Sequence, residues 1–353
     1  MIETEQAVIC QEPFACTWLQ REERTPRVRL VANDGYWDRV RGPHLSEAVF
    51  RNDLSRDEAL DLICDTAGEV DIVTEVPHAA AERVSASEHA RLVAVDAVRA
   101  LVGVINRDAD GLPLRDRRAR QALNLAVDRT ALVEEVFGGR ARPLTGLTPP
   151  TLLTTLHRAP DRLRAHPHHP SRATALWRAA GGAGVRPLRL ASMHGWRAVA
   201  ERVAADLRSA LAVDVEVHVL EPGEEADVRR RLAEKAAPHQ WDVLLLEQGS
   251  QAADTPPLEL HRAFAGRTGE FRAGPVDVGF ERRYDALVRQ TSQMKQVLAS
   301  NRIDRYVRDE ALALFLCAPQ VLYAVNREVH FVPYATTFEL VDTWVSPRHW
   351  SRR

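Results

Sequence analysis

Residues 186–246 read RPLRLASMHGWRAVAERVAADLRSALAVDVEVHVLEPGEEADVRRRLAEKAAPHQWDVLLL. Three short apolar runs, at 186–191, 213–220 and 241–246, alternate here with two stretches of helical length and period, 196–211 and 224–236. This alternation predicts right-handed βαβ units and a parallel sheet. The last run is apolar almost throughout, as expected of a central strand covered on both faces. The stretch therefore predicts an α/β domain with a βαβαβ core.

In open parallel sheets, ligands bind beyond the carboxyl ends of the strands. That rule selects the two loops that follow the first and third strands, 192–196 and 247–254. We therefore expect ligand contacts from four polar or aromatic side chains in these loops. They are Ser192, Trp196, Gln248 and Asp254.

Two further side chains in the same loops are candidates for catalysis. His194 precedes a predicted helix and can orient an anion or act as a general base. Glu247 ends a buried strand, where loss of water would raise its pKa and suit it to proton transfer. The alternatives are a loop histidine beside a packing tryptophan and a solvated loop carboxylate.

The segments on either side of this domain predict different structure. The first third reads as α+β, with short strands at 68–73, 91–95 and 99–106 and a helix at 56–67. A single helix is predicted from Asp116 to Phe137, ended by a glycine pair. The tail, with VLYAVN at 321–326, has the character of the first third, so we expect the chain to cross back. We predict two lobes, 1–106 with 317–353 and 107–316.

Composition excludes several classes of function. The chain has 353 residues, enough for two cores, and its 47 basic and 49 acidic side chains leave a formal charge of -2, with no field for nucleic acid. No apolar run is long enough for membrane insertion. There is no Walker loop and no G-x-G-x-x-G, so no nucleotide cofactor is predicted. The N-terminus carries acidic residues where a signal peptide needs basic ones, which predicts a cytoplasmic protein.

Neither the cysteines nor the histidines predict a metal site. The cysteines form no C-x-x-C pair and are interpreted as reduced thiols, two of them buried. In the histidine cluster, prolines 167 and 170 prevent regular helical spacing, and no acidic residue lies among the histidines. We expect no cofactor of any kind. The residues concerned are Cys10, Cys16, Cys64 and Cys317, and His157, His166, His168 and His169.

Five segments, in this order, carry a resemblance. They are EPFACTWLQREERTPRVRLVANDGYWD (12–38), GEVDIV (68–73), PLRDRRARQALNLAVDRTALVEEVFGGRARP (113–143), HPSRATALWRAAGG (169–182) and WDVLLL (241–246). With them the chain resembles the family 5 solute-binding proteins of ABC importers, the receptors for oligopeptides, dipeptides and nickel. The resemblance implies a type II periplasmic-binding-protein-like fold of two lobes, with a small polar or peptide-like ligand between them.

The resemblance also assigns roles to two regions. It implies that the RQALNLAVDR helix (120–129) is structural, and it places Asn106 and Arg107 where the chain crosses between lobes. There Arg107 would hold a carboxylate or sulfate, the alternative being an exposed hinge arginine.

The chain departs from the family pattern in two places. The segment that begins at Cys10 normally lies well inside the mature protein, so the first lobe is expected to be incomplete. A homo-oligomer or a partner chain would then complete it. The stretch after WDVLLL reads EQGSQAADTPP, which differs from the family's Asp-rich pattern and changes the side chains that face the ligand.

The sequence is compatible with three classes of function. The favoured hypothesis is a binding fold recruited as a biosynthetic enzyme, with an elimination or cyclisation assisted by Glu247 or His194 and with Arg107 holding the anion. The second is the substrate-binding component of an ABC peptide or nickel importer. The third is a cytoplasmic ligand sensor without catalysis. Since function does not follow from fold, the choice depends on the geometry of the site.

Overall fold

The computed structural model describes residues 14–18, 27–33, 35–38, 40–149, 164–236, 238–249, 258–334 and 338–352. The chain divides into two compact units. Unit 1 comprises Met1–Val95 and Val321–Arg353, and unit 2 comprises Asp96–Gln320. The predicted return of the chain to its first part is thus observed.

Unit 1 is α+β, as predicted, and contains two three-stranded sheets. The first has the order β1-β2-β3 and is antiparallel; the second has the order β4-β12-β5, so the returning strand lies in its middle. Two short helices pack on the second sheet around Ile63, Val84 and Leu322. The strands are β1 (Phe14–Trp18), β2 (Arg27–Ala32), β3 (Glu47–Arg51), β4 (Ile72–Val73), β5 (Ala90–Val95) and β12 (Val321–Asn326), with helices α1 (Arg56–Asp65) and α2 (Ala81–Ala86).

The end of the chain is tied to unit 1 through Asp71. One oxygen of this carboxylate, Oδ1, accepts hydrogen bonds from Asn326 Nδ2 at 3.2 Å, His349 Nε2 at 2.8 Å and Trp350 Nε1 at 2.9 Å. Trp350 begins the last turn of the chain, Trp350–Arg352, and His349 is the residue before it. A pair of two-residue strands, β13 (Val329–His330) and β14 (Trp344–Val345), joins the same returning segment.

Unit 2 is built on a six-stranded sheet with the order β7-β11-β6-β10-β8-β9. β8 is parallel to both β9 and β10, which confirms the predicted parallel βαβαβ arrangement. β6 and β11 are antiparallel additions, so the whole sheet is mixed. The strands are β6 (Arg99–Ile105), β7 (Ala141–Pro143), β8 (Leu188–Ser192), β9 (Val215–Val219), β10 (Val243–Gly249) and β11 (Ala313–Pro319).

Helices cover both faces of this sheet and form two cores. Leu101, Leu245 and Cys317 point to the first core, where α3 to α6 pack, whereas Val102, Leu244 and Leu246 point to the second. The helices are α3 (Arg117–Ala126), α4 (Arg129–Phe137), α5 (Pro170–Ala179), α6 (Arg197–Leu211), α7 (Pro222–Ala233), α8 (Leu258–Ala265), α9 (Val278–Val288) and α10 (Gln293–Asp309). Within the described ranges, no helix has both the length and the apolar composition needed to cross a bilayer.

The prediction of a single helix from Asp116 to Phe137 is wrong, because the structure has two helices there. α3 ends at Ala126, and Val127 adopts an extended conformation. The carboxylate of Asp128 then accepts hydrogen bonds from the backbone N–H groups of Thr130 and Ala131, both at 3.1 Å, and so caps α4. The apolar period continues through the break, which is why periodicity alone did not reveal it.

The boundaries between units also differ from the predicted ones. The sequence places them after residue 106 and before residue 317, whereas the structure divides the chain between Val95 and Asp96 and between Gln320 and Val321. The reason is β6, which lies between β10 and β11 in the sheet of unit 2. Each unit holds one buried free thiol among the described residues, Cys64 in unit 1 and Cys317 in unit 2.

Candidate functional site

One edge of the unit 2 sheet collects the strand ends that the sequence selected. β8 and β10 are parallel neighbours, so both end at this edge. β6 runs antiparallel to β10, with Gly249 opposite Arg99, and therefore begins there. β11 is antiparallel to β6 and also ends there. This is the edge at which ligands bind in open α/β sheets.

Glu247 forms an ion pair at this edge with a residue that the sequence did not nominate. Arg99 Nη1 lies 3.4 Å from Glu247 Oε1. Glu247 is opposite Leu101, two residues along from Arg99, so both charged side chains project from the face that carries the first core. The side chains of Glu247 and Arg99 retain 20% and 35% of their exposure, so both charges remain within reach of a ligand.

A second ion pair lies at the same edge but involves the other face of the sheet, since Arg142 is opposite Ala318, whose side chain lies in the second core. Arg142 Nη2 is 2.5 Å from Asp96 Oδ2, and Gln320 Nε2 donates to Asp96 Oδ1 at 2.8 Å. Arg142 belongs to β7, which pairs with the end of β11. We call the four residues Asp96, Arg99, Arg142 and Glu247 the charged edge. It presents two carboxylates and two guanidinium groups, each partly exposed.

The loop after β8 is arranged differently from the prediction. Ser192 is fully buried, and its Oγ donates to the carbonyl of Met193 at 3.0 Å, so its hydroxyl group is not exposed at the surface. Trp196 packs against both cores, with its ring 6.1 Å from that of Phe137. It therefore takes the packing role given above as the alternative. His194 is exposed, and its backbone N–H donates to the carboxylate of Glu225.

Asn106 and Arg107 do not lie at the charged edge. They follow β6 at its far end, roughly 25 Å from Arg99 at the rise per residue of an extended strand. Arg107 is buried and donates to the carbonyl of Pro275 at 2.5 Å, and burial lowers the pKa of its guanidinium to about 10, with Arg120 adding to the effect. Asn106 Nδ2 donates to the carbonyl of Trp241 at 3.3 Å. Arg107 therefore does not lie beside Glu247, because β6 runs antiparallel to β10, and its role in holding an anion stays a prediction.

The two remaining candidates add little to the geometry. Gln248 is next to Glu247 in β10, so its side chain leaves from the opposite face, and its Nε2 lies 3.3 Å from the carbonyl of Gly249. Asp254 lies outside the described residues. Both stay predictions as ligand contacts.

The histidine cluster is engaged in packing and capping. His166 stacks on Phe315 with 6.0 Å between ring centroids, His168 Nδ1 lies 3.2 Å from Asp128 Oδ2, and the ring of His169 accepts from the backbone at the start of α5. His157 lies outside the described residues. In the part of the chain that the structure describes, no three His, Cys, Asp or Glu side chains meet as metal ligands.

The RQALNLAVDR segment is structural, as the resemblance implied. Arg129 is buried and donates to the carbonyls of Phe315 at 2.7 Å and Asn124 at 2.8 Å, and also to Asn124 Oδ1 at 3.0 Å. Arg120 donates in the same way to the carbonyls of Leu114, Arg115, Glu310 and Ala311. Arg120 thus ties α3 to the end of α10, and Arg129 ties α4 to β11.

Comparison with known proteins agrees with this architecture. The family model described as "Bacterial extracellular solute-binding proteins, family 5 Middle" matches residues 3–265. Di/tripeptide-binding protein 2 of Pseudomonas aeruginosa is 28% identical over 225 residues, which are 62% of this chain and 40% of that protein.

Solved structures with little sequence identity share the fold. The ABC transporter substrate-binding protein CtaP of Listeria monocytogenes has a TM-score of 0.78 at 14% identity, over 95% of this chain and 66% of that one. The periplasmic binding protein DppA of Helicobacter pylori, solved with the peptide STSA, has a TM-score of 0.71 at 16% identity, over 95% and 62%. The chain thus has the type II periplasmic-binding fold and spans less than half of the curated relative named above.

Proposed function

This chain belongs to the bacterial extracellular solute-binding proteins of family 5, and we propose that it is the component that binds a small peptide or peptide-like molecule for an ABC importer. The names of its relatives support the ligand class, since one is a di/tripeptide-binding protein and another was solved with a peptide. The observation that carries the proposal is the charged edge.

The charges at this edge match the ends of a short peptide. A peptide carries an ammonium group at one end and a carboxylate at the other. A receptor therefore needs a negatively charged side chain for the first and a positively charged side chain for the second. Glu247 supplies the first, and Arg99 supplies a guanidinium that can bind a carboxylate through two parallel hydrogen bonds. Because the pair is partly exposed and its Coulomb energy is modest, a ligand can compete for either partner.

The reading as a recruited enzyme gains no support. The three groups that it requires are Glu247, His194 and Arg107. They are not brought together, because Arg107 lies at the opposite end of the sheet from Glu247. His194 carries an exposed side chain in a loop whose serine is buried. The cytoplasmic location stays a prediction that belongs to the enzyme and sensor alternatives, since an importer receptor acts outside the cytoplasm. The expected oligomer or partner chain also stays a prediction.

Titration calorimetry with a panel of dipeptides, tripeptides and free amino acids tests the proposal. We expect saturable binding of a peptide by the wild-type chain, and about tenfold weaker binding by Glu247→Gln, which corresponds to about 1.4 kcal/mol. Glu216→Gln is the matched control, because Glu216 is an exposed carboxylate of β9 in the same sheet. Absence of binding across the panel, or equal losses in both variants, would refute the assignment.

A further inference from the structure

The helix pair α9 and α10 carries a surface that the proposed function does not use. Ile303, Asp304 and Val307 are buried on one side of α10. The opposite side exposes Met294 by 69% and Leu298 by 46%, one helical turn apart. Val288 at the end of α9 is exposed as well. These three side chains place apolar surface on the outward face of the helix pair.

Basic residues surround these apolar side chains. On α10, Lys295, Arg302 and Arg305 are exposed and lie within about a third of a turn of the Met294 and Leu298 side. Arg289 continues the set at the end of α9. Two exposed acids are nearby: Asp285 on α9, and Asp309 at the far end of α10, 2.9 Å from Arg308 Nη1. We call Val288, Arg289, Met294, Lys295, Leu298, Arg302 and Arg305 the basic apolar face.

The composition of this face selects among possible occupants. A second copy would bring like charges together across a twofold interface, which is unfavourable. The face is the outer side of a helix pair, and it presents single apolar side chains between cations. That pattern fits the interface of an anionic bilayer, where apolar side chains enter the headgroup layer and cations lie beside lipid phosphates.

We propose that the basic apolar face docks the protein peripherally on an anionic phospholipid surface. Lys295, Arg302, Arg305 and Arg289 supply the attraction, and Met294 and Leu298 enter the headgroup layer. The docking is electrostatic in origin and therefore weakens as salt increases. It involves the surface of the bilayer only, without a spanning segment.

Co-sedimentation of the full chain with vesicles measures the docking. Vesicles of phosphatidylcholine with about one third phosphatidylglycerol are compared with vesicles of phosphatidylcholine alone. We expect Lys295→Glu/Arg302→Glu to lower the partition onto anionic vesicles about thirtyfold, since each cation contributes about 1 kcal/mol. The control, Arg172→Glu/Arg178→Glu on α5, changes the net charge equally and should leave the partition within about twofold. Met294→Ser/Leu298→Ser should lower it severalfold.

The chain has only two lysines, which gives a second readout. Acetylation of Lys295 should slow on anionic vesicles, whereas Lys235 serves as the internal reference, because its ammonium is held by backbone carbonyls. Equal partition onto neutral vesicles, or equal loss in both charge-reversal variants, would overturn the proposal. So would stronger retention on immobilised polyglutamate, which would indicate an acidic protein partner, or concentration-dependent dimers lost in Lys295→Glu/Arg302→Glu.

Discussion

Two sets of arginines in unit 2 differ in what they bind. Arg120 and Arg129 are buried and donate to backbone carbonyls, so their charges hold helices and strands together. Arg99 and Arg142 lie at the open end of the sheet and form ion pairs with carboxylates, and the paired side chains are all partly exposed. Burial thus distinguishes guanidinium groups that maintain the fold from those that remain accessible to solvent. The sequence alone does not distinguish these four arginines.

The largest expected effect comes from removing a buried member of the first set. Arg129→Met deletes hydrogen bonds to four backbone carbonyls, and it leaves these oxygens without the donors that satisfied them. We expect the free energy of unfolding to fall by about 4 kcal/mol. Denaturant unfolding measures it. Arg142→Met, the same substitution at the charged edge, should cost less than about 1 kcal/mol, and equal losses would contradict the comparison.

The interior set also makes unit 2 sensitive to acid through His166. Burial lowers the pKa of His166 to about 3, with Arg129 and Arg308 adding to the effect, whereas the unfolded chain titrates near 6.5. The neutral ring therefore contributes stability that is fully present above pH 6.5 and is lost as the pH falls toward 3. At pH 5 we expect a loss of about 2 kcal/mol. Unfolding curves of His166→Phe should show a flatter pH dependence, and an unchanged slope would place the acid sensitivity elsewhere.

The smallest expected effect concerns the charged edge itself. A double-mutant cycle with Arg99→Gln and Glu247→Gln should give a coupling free energy below about 1 kcal/mol in unfolding, since both side chains are partly exposed. The same variants should change peptide affinity by more than they change stability. A coupling free energy of several kcal/mol would show that Arg99, like Arg120 and Arg129, maintains the fold.

The sequence predicts the parallel part of the sheet well, because strands and helices alternate without interruption from 186 to 246. It does not predict the position of β6, since pairing with β10 joins residues about 140 positions apart and leaves no local pattern. That one strand decides the partner of Glu247, the remoteness of Arg107 and the boundary between the units. The break before α4 was missed for a different reason, because the Asp128 cap lies inside a continuous apolar period.

The buried thiols allow the two units to be followed separately. Burial raises the pKa of Cys64 in unit 1 and of Cys317 in unit 2, so each reacts with a thiol reagent only after its surroundings open. With Cys10 and Cys16 replaced by serine, every remaining thiol reports on one unit alone. Timed alkylation followed by peptide mass analysis would then give the opening rate of each unit separately. A single optical signal would report only the sum of the two.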